Sequence, residues 1–258
     1  MAIVDVGSGP AIVLIPGVQG RWEWMRPAVD ALSRDCRVIT FSLDESADDF
    51  ASLVRQVKAT MDTRGVERAV ICGVSYGGLI AAAFAVEHPE RTAGLALVSA
   101  LPPGWEPDPR VRFYLRAPRL LTPMFCLASL RMYAEIAAAA GGMLAGVPAA
   151  ARHGWNVVTH MFSPARMARR ATLLPGRALA SRLAAVHVPA LVVAGEEPLD
   201  RVVPVRLTRE YLGLLPQAAF VTLPRTGHLG LITRPDLFAA TIAPFARDAM
   251  ATARRRVG

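Results

Sequence analysis

Short, continuous apolar runs alternate with amphipathic stretches over the first hundred residues. Ala11–Ile15 (AIVLI), Arg37–Phe41 (RVITF), residues 68–72 (RAVIC) and residues 94–99 (GLALVS) read as strands. Unbroken apolar runs of this length belong to strands buried on both faces. Residues 22–33 between them have helical composition. Residues 48–64 repeat Phe50, Leu53, Val54, Val57 and Met61 at three- to four-residue spacing, which predicts an amphipathic helix stopped by Gly65. Residues 77–87 are small and apolar, a helix closed by His88-Pro89. This alternation implies a parallel sheet covered on both faces.

The rhythm breaks at Pro102. No buried strand is predicted from there to His187, and helix starts recur instead at Thr122-Pro123, Pro148 and Ser163-Pro164, with a stop at Gly141-Gly142. A strand at Ala190–Ala194 restores the pattern. A helix near 205–215, a strand at 219–223 and a last helix over about 235–250 follow. The expected organisation is a discontinuous core, 1–101 and 188–258, interrupted by an all-helical insert, 102–187. The fold class is α/β with a mainly parallel, doubly wound sheet.

Composition narrows the classes further. The 258 residues suit one domain with an insertion, and 53% hydrophobic against 19% charged residues excludes a disordered chain. The odd cysteine count (Cys36, Cys72 and Cys126) points to free thiols in a reducing compartment. The N-terminus MAIVDVGSG lacks the layout of a secretory signal. The least polar run, 134–151, carries Glu135, Gly141, Gly142 and Pro148 and falls short of a membrane span. A cytoplasmic protein without a membrane span is therefore expected. All but one (Lys58) of the 29 basic residues are arginine, and the net charge is +8. The Arg254-Arg255-Arg256 cluster has no nucleic-acid motif beside it, so no nucleic-acid partner is expected.

The sharpest chemical signal is Gly73-Val74-Ser75-Tyr76-Gly77-Gly78, which follows a strand directly and opens a helix. A G-x-S-x-G sequence in that setting is a nucleophile elbow. The turn is so sharp that side chains two before and two after the serine would collide, hence glycine at both places. A serine hydroxyl needs a general base, and the base an orienting carboxylate. His228 lies just past the strand at 219–223, on a loop at the sheet edge where sites of parallel sheets assemble. His88, His153, His160 and His187 suit structural or surface roles, and the seven-residue spacing of His153 and His160 is not a metal spacing. Three acids follow the strand at 190–194: Asp200 is favoured, with Glu196 and Glu197 as alternatives. The oxyanion needs amide donors. Tyr76 N–H is one by geometry, at the start of the helix after the elbow. Val18, in the loop after the strand at 11–15, is the second, with the Gln19 side chain as an alternative.

With these elements in order, the chain resembles the α/β-hydrolase superfamily. The resemblance is carried by IVLIPG at 12–17, GVSYGG at 73–78, HPERTAGLALVSA at 88–100, VPALVVAGEEPLD at 188–200 and RTGHLG at 225–230. It implies a helical cap over the C-terminal edge of the sheet and a cofactor-free hydrolytic site acting on a small molecule. It assigns the nucleophile to Ser75, the acid to Asp200, the base to His228 and the oxyanion donors to Val18 and Tyr76. Two features depart from the family. Many relatives carry His-Gly where this chain has Pro16-Gly17, and that histidine helps pin the oxyanion loop. The segment SLDESADDF after residue 41 is also shorter than the usual loop. Serine at the elbow argues against dehalogenation and epoxide opening, which use aspartate there.

The insert is rich in aromatic residues and methionine, including Trp105, Phe113, Tyr114, Phe125, Tyr133, Trp155, Phe162 and Met161. An apolar pocket built from Trp105, Phe125 and Trp155, with Gln19, Trp22 and Trp24 from the oxyanion side, is the expectation. The alternative is that these residues form the insert's own core. Arg112, Arg116, Arg119 and Arg131 are candidates to hold a substrate carboxylate. The expected reaction is hydrolysis of an ester, lactone or thioester through an acyl-enzyme. Its rivals are carbon–carbon hydrolysis, a haloperoxidase-like activity, or ligand binding without turnover.

Overall fold

The computed structural model describes residues 3–160, 163–176 and 178–255, and only the backbone of residues 125, 126, 128 and 129. The first half of the core contains β1 (Ile3–Val6), β2 (Ala11–Ile15), α1 (Arg26–Leu32), β3 (Arg37–Phe41), α2 (Phe50–Thr63), β4 (Ala69–Val74), α3 (Tyr76–Glu87) and β5 (Thr92–Val98). Six helices follow: α4 (Pro109–Arg116), α5 (Thr122–Ser129), α6 (Tyr133–Ala140), α7 (Met143–Thr159), α8 (Pro164–Thr172) and α9 (Ala178–Leu183). The chain then returns to the sheet through β6 (Ala190–Ala194), α10 (Val205–Arg209), α11 (Tyr211–Leu214), β7 (Ala218–Thr222), α12 (Gly230–Thr233) and α13 (Pro235–Arg255).

The seven strands stand in the order β1-β3-β2-β4-β5-β6-β7. Only β1 runs antiparallel to its neighbour. Every residue of β2, β4, β5 and β6 is buried. Alternate side chains feed two cores, as the two-residue repeat of a strand requires. Val13, Ile15, Ile71, Leu95, Leu97 and Val192 pack with α2, α3 and α9. Ile12, Leu14, Val70, Val98, Leu191 and Val193 pack with α1 and α13. Burying each such side chain contributes about 1.5–3 kcal/mol.

Several boundaries differ from the sequence reading. β1 was not anticipated: IVDV is short, half-exposed and carries a charge, and Asp5 is held by two hydrogen bonds from the Arg37 guanidinium of the neighbouring strand. Pro148 does not start a helix. It lies inside α7, which begins after Gly142, so one backbone hydrogen bond is forgone there. Thr122 is the first residue of α5 rather than its cap, and its hydroxyl donates back to Pro118 O at 2.7 Å. β7 sits one residue earlier than expected, and α13 runs five residues further, to Arg255.

Among the described residues the segment between β5 and β6 is helical and contains no strand. Its hydrogen bonds reach the loops that follow the strands. Trp24 Nε1 donates to His160 O, and Asn156 Nδ2 donates to Glu23 O. Ion pairs Arg166–Glu45 and Arg169–Asp48 add a polar seam. No single described helix is long and apolar enough to cross a membrane. Leu130–Ala140 and Met143–Thr159 meet that measure only together, and they are bent by 120°.

Candidate active site

Ser75 links β4 to α3 with φ 54° and ψ −120°. A side chain-bearing residue at positive φ is strained and persists only where its surroundings over-determine it. Here Ser75 N donates to Val98 O, and Ser75 O accepts from the amides of Gly78 and Leu101. The close approach of strand and helix is visible at the flanking glycines. A Cβ on Gly73 would lie 2.2 Å from Gly77 O, and one on Gly77 would lie 2.5 Å from Ile15 O. Tyr76 is the first residue of α3, so its N–H is one of the first-turn donors left without a helical partner. Its buried hydroxyl donates to Leu173 O at 2.6 Å, and burial raises its pKa.

Asp200 and His228 come from the loops after β6 and β7. Asp200 Oδ2 lies 3.4 Å from His228 Nδ1, with the aspartate side chain fully buried and the imidazole 10% exposed. Among the described residues neither atom has a hydrogen-bond partner, so the contact is an ion-pair approach rather than a formed hydrogen bond. The second aspartate oxygen accepts from the amides of Val202 (3.0 Å) and Val203 (2.8 Å). Burial works against the charged carboxylate, but His228 and the two amides outweigh it and hold Asp200 below the ordinary carboxylate range. Glu196 is turned elsewhere: its carboxylate accepts from Arg225 N at 2.9 Å. Glu197 is exposed.

Ser75 and His228 line one cavity of about 130 Å³ with Gln19, Trp24, Arg21, Arg131, His153 and apolar neighbours that include Met25, Met132 and Ile232. Gly17 of the loop after β2 abuts the serine, a Cβ placed there being 3.5 Å from Ser75 Cβ. Val18 is half-buried, packed between the sheet core and a small cluster of Tyr114, Met167 and Ala168. Another cavity, of about 140 Å³, lies between Arg68, Pro89 and Pro189, away from Ser75 and His228.

Three of the expected pocket aromatics are elsewhere. Trp22 packs against the α1 side of the core with Arg26 over its ring, because two residues along a short 3₁₀ turn it points away from Trp24. Trp105 packs on the α3 side of the core. Trp155 is 71% exposed, about 200° around α7 from the cavity-lining His153. The side chain of Phe125 and the whole of Met161 and Phe162 lie outside the described residues. Trp24 does line the cavity, edge-on to His153 at 6.3 Å between ring centroids. Burial lowers the pKa of His153, favouring the neutral imidazole, a cavity role that its sequence position did not signal.

Two buried charges of the insert escaped the sequence reading. Glu135 on α6 is 1% exposed, and its Oε1 accepts from Leu229 N, the residue after His228, at 2.7 Å. Burial pushes its pKa up to about 7, against the pull of backbone amides and of His228. A lone acid in an alanine-rich run was the available signal. Arg170 on α8 is 4% exposed and donates to Val18 O, Gln19 O and Leu43 O. Its place beside Arg169 in a basic helix gave no such hint.

A sequence model of the alpha/beta hydrolase family matches residues 12–241. The protein named "Putative carbamate hydrolase RutD" of Pseudomonas syringae pv. syringae (strain B728a) is 25% identical over 249 residues, covering 92% of this chain and 94% of the relative. A 2-hydroxy-6-oxononadienedioate/2-hydroxy-6-oxononatrienedioate hydrolase of Comamonas testosteroni is 35% identical over 107 residues, 36% of this chain and 37% of that one. Among solved structures, the enol-lactonase from Burkholderia xenovorans LB400 superposes with a TM-score of 0.76 at 21% identity, over 95% of both chains. At that identity the likeness is one of fold.

Proposed function

The chain belongs to the alpha/beta hydrolase family, and from that premise we propose that it is a serine hydrolase whose triad is Ser75, His228 and Asp200. The observation that carries this reading is the strained Ser75 opening on the same cavity as an imidazole whose other side faces a buried, ionised aspartate. Ser75 Oγ attacks the substrate carbonyl while His228 Nε2 takes the hydroxyl proton. Asp200 steadies the imidazolium that results. The amides of Val18 and Tyr76 hold the oxyanion. His228 then gives the proton to the leaving group, and an acyl-enzyme remains. Water, deprotonated by His228, attacks the ester carbon; the bond to Ser75 Oγ breaks, His228 returns the proton to that oxygen, and the acid is released. Residues 102–187 act as a cap on a core of 1–101 and 188–258. The buried free thiols of Cys36 and Cys72 fit a cytoplasmic location.

The cavity sets the substrate class. It is similar in size to a cavity of roughly 150 Å³ that takes benzene, so the enclosed group is small. Among the described residues its lining holds Arg131 and Arg21, the latter paired with Glu23, and no carboxylate residue, which favours a small ester, lactone or carbamate bearing negative charge. The likeness to a hydrolase named for a dioate fits that charge, and the likeness to RutD keeps carbamates in the panel.

Turnover of p-nitrophenyl acetate is the first test. Ser75→Ala and His228→Ala should each lower kcat by about 10⁴-fold or more. Turnover retained in Ser75→Ala contradicts the reading. Monomethyl succinate should be hydrolysed faster than methyl butyrate, and the ratio should shrink as salt is added. A carbon–carbon hydrolase, the second reading, is favoured by the Comamonas match. It would cleave a 2-hydroxy-6-oxodienoate faster than either ester.

A further inference from the structure

The loop after β2 must hold Val18 N–H toward the serine, yet Pro16 offers no side-chain donor to brace it. Its bracing comes from elsewhere in the chain. Gly20 N donates to Gly17 O at 2.9 Å, which fixes the 17–18 peptide. The N–H of a trans peptide points opposite to its C=O, so this bond sets the direction of Val18 N–H. Arg170 Nη1 donates to Val18 O (3.3 Å) and Gln19 O (2.9 Å), which fixes the next two peptides. Its Nη2 donates to Leu43 O at 3.2 Å, tying the same guanidinium to the loop after β3. A Cβ on Gly20 would lie 2.3 Å from Nη1, so the loop closes directly over the guanidinium. Among the described residues no carboxylate lies within ion-pair distance of Arg170, and its Nε has no acceptor. A cation hydrogen-bonded only to backbone carbonyls, with the charge of Asp44 acting from beyond ion-pair distance, is costly to bury. The same helix end also receives the Tyr76 hydroxyl through Leu173 O. α8 thus touches both residues assigned as oxyanion donors.

We propose that Arg170 is the positioning residue of the oxyanion hole, a buried guanidinium from the insert that orients the 17–20 loop in place of a side chain at position 16. This rests on the serine-hydrolase reading above. The substrate does not touch Arg170; its effect runs through Val18.

The test compares Arg170→Met, Arg170→Lys and Gly20→Ala with the parent protein. Each is read by kcat and KM on p-nitrophenyl acetate, by inhibition with phenylboronic acid and by thermal midpoint. Phenylboronic acid forms a tetrahedral adduct on the serine and so reports on the oxyanion hole. A displacement of about 1 Å at the reacting centre costs on the order of 100-fold. Arg170→Met should therefore lose about 30- to 100-fold in kcat with KM within about threefold, and boronate inhibition should weaken by a similar factor. Arg170→Lys should recover part of both. Gly20→Ala, at φ 75° and beside the guanidinium, disturbs the loop itself and should copy the loss, while Arg170→Lys decides the matter if Arg170→Met does not fold, since it should show the same paired loss in smaller measure. Folded variants that keep kcat within about threefold of the parent overturn the proposal, as does a fall in kcat with boronate inhibition unchanged. Turnover surviving in Ser75→Ala would instead sink the serine reading itself, independently of Arg170.

Discussion

The helical insert buries two charged side chains, where the central strands of the sheet bury almost only apolar ones. In β2, β4, β5 and β6 every side chain is out of solvent, and almost all are apolar. In the insert, Leu120, Leu144 and Trp155 are 78%, 89% and 71% exposed, while Glu135 and Arg170 are 1% and 4% exposed. The core is held by area, the non-directional gain of removing apolar surface from water. The insert is attached by apolar contact, through Leu179 and Leu183 on α9, and by directed polar contacts, two of which end on the loops that carry Val18 and His228. Apolar burial holds both regions, and the two buried charges of the insert add direction at the site loops.

That contrast can be broken in order of expected effect. Asp200→Asn should cost about 10⁴-fold in kcat. The fold should survive, because an amide oxygen can still accept from Val202 and Val203; kinetics beside a thermal melt would check both halves. Gly73→Ala attacks the core instead. Its Cβ meets the Gly77 carbonyl at 2.2 Å, and a backbone atom cannot swing aside. A loss of about 4 kcal/mol in urea denaturation is expected.

Glu135 comes next. Its folded-state pKa, about 7, lies above the ordinary value of 4.5. The folded protein therefore holds a proton that the unfolded chain has lost, and stability falls as pH rises between those values. Glu135→Gln keeps an acceptor for Leu229 N and removes the charge. Its melts should lose that slope and exceed the parent by on the order of 3 kcal/mol above pH 7. A parent and variant with parallel pH profiles would contradict this burial argument. The smallest effect is expected from Trp155→Gln, which should change stability by less than about 0.5 kcal/mol and leave ester turnover as it was.

The core was legible because its information is local. A continuous apolar run announces a buried strand, and glycines bracketing a serine between strand and helix announce the elbow. Asp200 is separated from Glu196 in the sequence only by its place at the loop's end, and in the fold it is Asp200 Oδ2 that lies 3.4 Å from His228 Nδ1. The insert was less legible. Composition marked Trp105 and Trp155 as pocket residues, and nearness to the oxyanion loop marked Trp22, but neither signal says which side of a turn faces inward. Pro148 carried a start signal that the Gly141-Gly142 pair had already supplied. Glu135 and Arg170 were hidden for a different reason. Their partners are backbone atoms 94 and 151 residues away, and a main-chain group leaves no mark in a sequence.

The most direct measurement is covalent labelling with a fluorophosphonate, with the modified residue mapped by mass spectrometry. Reaction on Ser75 alone, lost in His228→Ala, is the predicted result. A protein that turns over ester while Ser75 stays unmodified, or that takes the label on another residue with Ser75→Ala still active, would contradict the account.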